Sequence, residues 1–354
     1  MSDVSLAEVD EKGLSYPFEG IPEAGDIREV APGIYWVRMV LPFSLDHINL
    51  WLIDDGDGWV VIDTGVNDEG TKANWEKIFS TRLGGKPVKR LIVTHLHPDH
   101  VGLAGWIARK FDVTLEMSRT DYLMCRTLVA DTGKTAPEEA LKFYRAAGFS
   151  TRGVESYAKR FGGFGARVST MPDVFKRLKE GDKITLGGRE WRIVVGSGHA
   201  PEHVCLFCEE LNVLISGDQV LPRISSNVSL HPTEAHADPL QEWIDSCKKL
   251  RAVLPEDALV LPAHNEPFYG LHRRLDALVE GHEDGLKKLL EMLSEPRRSI
   301  DVFPALFKRK IGSDVFFMAT GESLAHLACL VKRGLATVSR DEKGVDWYVR
   351  KDAA

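Results

Sequence analysis

Residues 94–100 read Thr94-His95-Leu96-His97-Pro98-Asp99-His100. They follow Val88-Lys89-Arg90-Leu91-Ile92-Val93, an apolar, β-branched run of strand length. His95 and His97 leave the end of that strand, and Asp99 and His100 fall where a helix begins. Three imidazoles and a carboxylate within six residues are too many titratable groups for packing alone. Imidazole and carboxylate together suit zinc, iron or manganese. A run of the form H-x-H-x-D-H arises by accident in about one in a thousand chains of this length and composition. The bland alternative is a helix-start aspartate among surface histidines.

Upstream of this segment the pattern is a β-meander. Strand-like runs cover 33–40, 48–53 and 59–63, with an Asp/Gly turn cluster at 54–58. A helix is expected over 67–83. Downstream come a helix at 101–111 and a short strand at 113–117, so strands and helices alternate. Residues 119–180 read as a helical insertion, with helices at 136–147 and 153–160 and a mobile, glycine-rich loop at 161–165. Strands resume at 183–186, 190–195, 204–208 and 213–216. A helix at 238–254 and a strand at 258–262 follow. From Leu271 onward apolar residues recur at helical spacing until Glu295-Pro296-Arg297-Arg298 breaks the pattern.

The histidine motif resembles the signature of the metallo-β-lactamase-fold hydrolases, and the resemblance spans roughly residues 28–268. The family's later ligand positions can be matched in order. His199 stands in Gly196-Ser197-Gly198-His199, Asp218 ends Val213-Leu214-Ile215-Ser216-Gly217-Asp218, and His264 follows a short strand, with Ala263 where a glycine is more usual. The resemblance implies that His95, His97 and His199 hold one metal ion, that Asp99, His100 and His264 hold a second, and that Asp218 bridges them. It implies an αββα four-layer sandwich and two divalent transition-metal ions, with zinc the first choice and iron or manganese the alternatives. Asp63, in Ile62-Asp63-Thr64-Gly65, is expected to orient a ligand imidazole. No ligand position holds cysteine, which favours the binuclear hydrolases over the antibiotic-hydrolysing branches.

His203, four residues after His199, is expected to support the site. His47 is a candidate for its mouth. Tyr122, Phe161, Phe164 and Arg223 are candidates for the substrate pocket. His231, His236, His272, His282 and His326 read as surface or packing residues. Cys205-Leu206-Phe207-Cys208 lies inside a strand pattern without a second cysteine pair, so two packing thiols are expected. No G-x-S-x-G element supports a serine hydrolase, and no glycine-rich stretch continues into the G-K-[ST] of a phosphate loop.

The chain has 354 residues, 45 Lys+Arg against 52 Asp+Glu, and a net charge of −7. This is ordinary globular composition and excludes collagen-like, coiled-coil and wholly disordered classes. No apolar run reaches membrane-spanning length. Met1 to Lys12 has no apolar core and does not read as a signal peptide. Five cysteines, an odd number, fit a reducing cytoplasm.

The length predicts a catalytic domain at 28–268 after an N-terminal arm at 1–27. A connecting helix is expected at 269–296 and a winged-helix-like domain at 297–354. That tail carries 11 Lys+Arg and 7 Asp+Glu, a net of +4, so the rest carries −11. Its candidate recognition helix, 322–332, is largely apolar, so packing or a homodimer contact is favoured over nucleic acid.

The expected activity is hydrolysis of an ester-like bond, a thioester or lactone, in a small molecule. Metal-bound hydroxide would attack the carbonyl, with Asp99 and Asp218 handling the proton. A metal-dependent nuclease or phosphodiesterase acting on RNA is the alternative, and a non-enzymatic metal or oxygen-handling protein is a third class.

Overall fold

The computed structural model describes residues 9–11, 13–43, 45–313 and 315–351. Residues 1–8 and Lys12, part of the stretch examined for a signal peptide, lie outside the described residues.

The first sheet has seven strands in the order β1 (Ile27–Ala31), β2 (Ile34–Val40), β3 (His47–Asp54), β4 (Trp59–Ile62), β5 (Val88–Ile92), β6 (Leu115–Met117) and β7 (Phe175–Arg177). The first four form the antiparallel meander, and β4 to β7 run parallel. The second sheet is ordered β12 (Leu259–Pro262), β11 (Val213–Gly217), β10 (His203–Cys208), β9 (Arg189–Gly196) and β8 (Lys183–Leu186). Only the β11–β12 pair in it is parallel.

Strand periodicity explains the layers. In β4, Val60 and Ile62 face inward with Trp36 and Trp51 against Ile193, Leu206 and Ile215 of the other sheet. Trp59 and Val61 face outward. There they meet Trp75 and Ile78 of α1 (Glu69–Thr81) and Ile107 of α3 (Ala104–Phe111), which follows the one-turn α2 (Pro98–Val101). In β10, Val204, Leu206 and Cys208 face inward, while Cys205 and Phe207 face the opposite helical layer. Successive residues on a strand point to opposite sides, so both sheets are buried on both faces and the result is a four-layer αββα sandwich. The same alternation puts Cys205 and Cys208 on opposite faces. All five cysteines are free and buried.

The expected insertion contains α4 (Arg119–Ala130), α5 (Glu138–Ala146) and α6 (Thr151–Arg160). Two features of it differ from the sequence reading. Residues 161–165, expected as a mobile loop, run into a tight turn at Phe164–Arg167 docked on the end of α4. A Cβ on Gly162 would lie 2.4 Å from the Asp131 carbonyl oxygen. The chain then rejoins the first sheet as β7, too short to show a periodic pattern.

The second helical layer is α7 (Pro239–Val253) and α8 (Leu271–Met292). The tail adds the one-turn α9 (Phe303–Leu306), α10 (Phe316–Lys332) and a hairpin of β13 (Ala336–Arg340) and β14 (Asp346–Arg350). α10 is not a surface helix. Leu324, Ala325, Leu327 and Leu330 join the core of α7 and α8, and among its residues only Met318 and the terminal Lys332 are exposed. No helix among the described residues is long and apolar enough to cross a membrane.

Candidate metal centre

Strands β4 and β5 run in one sense, and β9, β11 and β12 share one sense in the second sheet. Their C-terminal ends release Asp63, His95, His199, Asp218 and His264 at one edge of the sandwich, where ligands commonly gather in α/β folds. His97 caps α2, which carries Asp99 and His100 in its single turn.

Two groups of side chains converge there. His95, His97, His199 and Asp218 present ligand atoms within 4.8 Å of one another, and so do Asp99, His100 and His264. Asp218 links the groups. Its Oδ2 lies 3.2 Å from His199 Nε2, and its Oδ1 lies 3.4 Å from His100 Nε2 and 3.3 Å from His264 Nε2. The supporting bonds fix which nitrogen faces inward. His199 donates from Nδ1 to the Asn227 carbonyl at 2.7 Å, and His264 from Nδ1 to the His47 carbonyl at 2.7 Å. His100 Nδ1 donates to Asp63 at 2.7 Å. Each ring therefore turns Nε2 toward the centre. His95 Nε2 lies 2.9 Å from His97 Nδ1 and 3.3 Å from His199 Nε2.

Lone pairs facing lone pairs at that range repel unless a cation lies between them. His100 Nε2 and Asp218 Oδ1 are buried and make no hydrogen bond with the described residues. Such orphaned atoms are costly in a protein interior. The donor set, imidazole with carboxylate, fits divalent transition metals.

Electrostatics separate the two groups. Burial, then the neighbouring imidazoles, hold His95 well below its ordinary range. Burial and His199 take His97 down to about 3. Both rings are neutral, as metal ligands must be. Burial also opposes charge on His264, but Asp218 and Asp99 outweigh it and raise the ring to about 10. His100 is likewise raised, with Asp63 the strongest influence against burial. Asp218 is held well below the carboxylate range because His264 and His100 overcome burial.

The supporting residues divide into those expected and those missed. Asp63 accepts from the Thr94 amide and hydroxyl, each at 2.8 Å, besides orienting His100. His203 Nε2 accepts from the Asp218 amide at 3.0 Å. Gly217, at φ 50°, leaves His203 its space, since a Cβ would sit 2.6 Å from His203 Cε1. Asn49 and Asp121 were not identified from sequence. Asn49 donates to the Pro262 and Asn265 carbonyls at 2.9 and 2.6 Å, tying β3 to the loop bearing His264. Asp121 accepts from the Leu96 and Glu202 amides at 3.0 and 2.8 Å, joining the two histidine loops. Burial raises its carboxyl to about 6 against those hydrogen bonds. Asn49 stands alone between Ile48 and Leu50 in an apolar strand, but Asp121 follows Ser118-Arg119-Thr120 and carries no such signal.

A cavity of about 490 Å³ opens onto His97 and His199. Its walls are mostly apolar and include Leu96, Met124, Leu128, Tyr144, Tyr157 and Leu230. Phe161 and Phe164 line it, and so does His231, which read as a surface or packing residue. Tyr122, His47 and Arg223 do not. Tyr122 is buried, stacks on Phe175 at 3.8 Å and donates to the Pro172 carbonyl. His47 spends its ring on Asp46 and the Asn265 amide and serves His264 through its carbonyl. Arg223 pairs with Glu266 and lies over Tyr16. Tyr122 belongs to the insertion, His47 precedes a strand-like run and Arg223 follows the Asp218 loop, and none of these positions says where the side chain points.

Residues 44–264 match the family model described as the metallo-beta-lactamase superfamily. The chain belongs to that superfamily. Residues 286–351 match a second model, the metallo-beta-lactamase-like C-terminal domain. A crystal structure of a beta-lactamase domain protein from Burkholderia ambifaria superposes with a TM-score of 0.87 at 38% identity, covering 96% of this chain and 98% of that one. The Bacillus subtilis protein named "Probable metallo-hydrolase YqjP" is 24% identical over 83% of this chain and 91% of its own length. The Bos taurus protein named acyl-coenzyme A thioesterase MBLAC2 is 24% identical over 68% of this chain and 81% of its own. The chain is thus a metal-dependent hydrolase of the metallo-β-lactamase superfamily, with a His/Asp cluster able to bind metal ions.

Proposed function

We propose that this protein hydrolyses the thioester or lactone bond of a small molecule with an apolar acyl group, using two divalent transition-metal ions. The observation that carries the reading is the apolar cavity opening directly onto His97 and His199. An acyl chain held there sets its carbonyl beside the metal groups. His95, His97 and His199 would hold one ion and Asp99, His100 and His264 the other, with Asp218 placed between the two groups. Bound there, such ions supply an activated water and a Lewis acid for the carbonyl oxygen. The protein contributes position and proton handling. Asp99 is the more open of the two carboxylates, its side chain 18% exposed against 9% for Asp218, so it is placed to exchange a proton with the leaving group.

A small-molecule partner also agrees with the tail. α10 is core rather than a free recognition helix, and Arg298, Arg333 and Arg340 are paired with Asp301, Glu283 and Asp346. Lys308, Arg309 and Lys310 stay exposed, so RNA belongs in the test. The relatives named acyl-coenzyme A thioesterase favour the thioester within this class. A reducing cytoplasm suits five free, buried thiols.

The test is a hydrolysis panel on metal-loaded protein, setting acyl-thioesters and lactones beside phosphodiesters and single-stranded RNA. Thioester or lactone turnover is expected, and turnover of RNA alone overturns the reading. Elemental analysis should find about two ions per chain, falling below about one after His97→Ala.

A further inference from the structure

The tail's principal helix reaches the metal centre. α10 runs against residues 225–231, the segment that follows Asp218 and forms one cavity wall. The Gly321 carbonyl accepts from the Leu230 amide at 3.0 Å. A Cβ on Gly321 would stand 2.6 Å from Ser229 Oγ, so only glycine permits this approach. One residue on, the Glu322 carboxylate accepts from Asn227 Nδ2 at 2.9 Å. Asn227 Oδ1 accepts from Ser229 Oγ at 2.5 Å. The Asn227 backbone carbonyl is the acceptor for His199 Nδ1.

A second connection runs beside the first. His326, one turn after Glu322, approaches His282 of α8 at 3.3 Å, and His282 approaches Ser225 Oγ at 3.2 Å. The neighbouring Ser226 hydroxyl donates to the Asp218 carbonyl. Two ligands of one metal group, His199 and Asp218, thus hang from a segment that α10 holds at both ends. Burial pushes the Glu322 carboxyl up to about 7 against its bond to Asn227. A buried acid with that single side-chain partner is costly to keep for packing alone.

We propose that Glu322 is a positioning residue for metal binding: through Asn227 it holds the carbonyl that orients His199, making the C-terminal helix part of the active site. The inference rests on reading the His/Asp cluster as a metal site but needs no particular substrate. A ligand imidazole with a loosened hydrogen-bond partner binds metal roughly 10- to 100-fold more weakly. The effect should fall on the ion held by His95, His97 and His199 and spare the other, whose imidazoles lean on Asp63 and His47.

The test separates reach from charge in the full-length protein. Glu322→Gln keeps an acceptor oxygen at the same reach and loses the charge. Glu322→Asp keeps the charge and falls one methylene short. Metal-free samples of each are titrated with Co²⁺ against a chelator, following the visible absorption of the bound ion, and their thermal midpoints are recorded without metal. Glu322→Gln should match the parent. Glu322→Asp should bind one of its two equivalents about tenfold or more weakly, with an altered spectrum and a near-parent midpoint. Parent-like binding by Glu322→Asp overturns the proposal, as does equal loss in both variants. A lowered midpoint in Glu322→Asp with both affinities intact assigns Glu322 to structure alone and also overturns it. A metal-loaded parent that hydrolyses neither thioester nor lactone, while Glu322→Asp still shows the weakened Co²⁺ site, speaks against the functional reading and leaves this inference standing.

Discussion

Asp63 shows how one carboxylate sets the state of the centre. At φ 61° its backbone turns sharply out of β4, and its oxygens take up the Thr94 amide, the Thr94 hydroxyl and His100 Nδ1. Its negative charge is the strongest influence raising His100, just as Asp218 and Asp99 raise His264 to about 10. His264 is therefore protonated on both nitrogens in the metal-free protein at pH 8, and His100 is pushed in the same direction, whereas His95 and His97 are lowered by burial. A metal ion needs the lone pair that each proton occupies. Zn²⁺ uptake by metal-free protein in weak buffer at pH 8 should release acid, about one proton from His264 and a further contribution from His100. Asp63→Asn should release fewer, because His100 then gives up its proton more readily, and should weaken Zn²⁺ binding roughly 10- to 100-fold. A pH-indicator titration alongside chelator competition measures both. Uptake without acidification would show that the imidazoles are not exchanging protons for metal.

At the scale of elements, what sequence could show depended on how local each signal was. His95, His97, Asp99 and His100 were legible because one strand end and one helix turn bring them together within six residues. His199, Asp218 and His264 were legible only in order, each following a strand that the family resemblance led one to seek. The β-meander and α8 announced themselves by periodicity. Asn49, Asp121 and Glu322 gave no comparable signal, because their partners lie 213, 81 and 95 residues away. Only the packed sheets and helices make them neighbours. The insertion is the intermediate case. Its helices showed their spacing, but which faces line the cavity did not follow, and Tyr122 turned inward while Met124 and Leu128 of the same helix face the cavity. If α4 bounds an acyl pocket, narrowing it from Leu128 must discriminate by chain length. Leu128→Trp should lower kcat/KM for a long-chain acyl thioester about tenfold or more, since each misfitted methylene in an apolar pocket carries that weight. The shortest acyl thioester should be unaffected. An unchanged chain-length profile would remove α4 from the substrate's path.

For the whole molecule, the chemistry of the tail and its packing point the same way. The −7 of the chain divides into −11 and +4, which suggests a body and a separate basic module. Packing joins them. One apolar cluster contains Trp243 of α7, Leu275 of α8, Leu324 and Leu330 of α10, and Tyr348 of β14. The tail also meets the insertion: Phe317 lies edge-on to Tyr144 at 5.8 Å and tilted to Tyr157 at 6.1 Å, both cavity residues, and Arg160 lies over its ring. The tail therefore supports the cavity from two sides, through Phe317 behind the insertion and through Gly321 and Glu322 behind residues 227–231. Modules that share a core cannot unfold one at a time without exposing it. Calorimetry of the metal-free protein should show one transition, with van't Hoff and calorimetric enthalpies in agreement. Removing 297–354 should leave a protein that aggregates or melts far lower, because the apolar faces of α7 and α8 lose their cover. Two resolved transitions, the first sparing the His/Asp centre, would mean that the tail is an independent module and that its contacts with the cavity wall contribute little to holding the site.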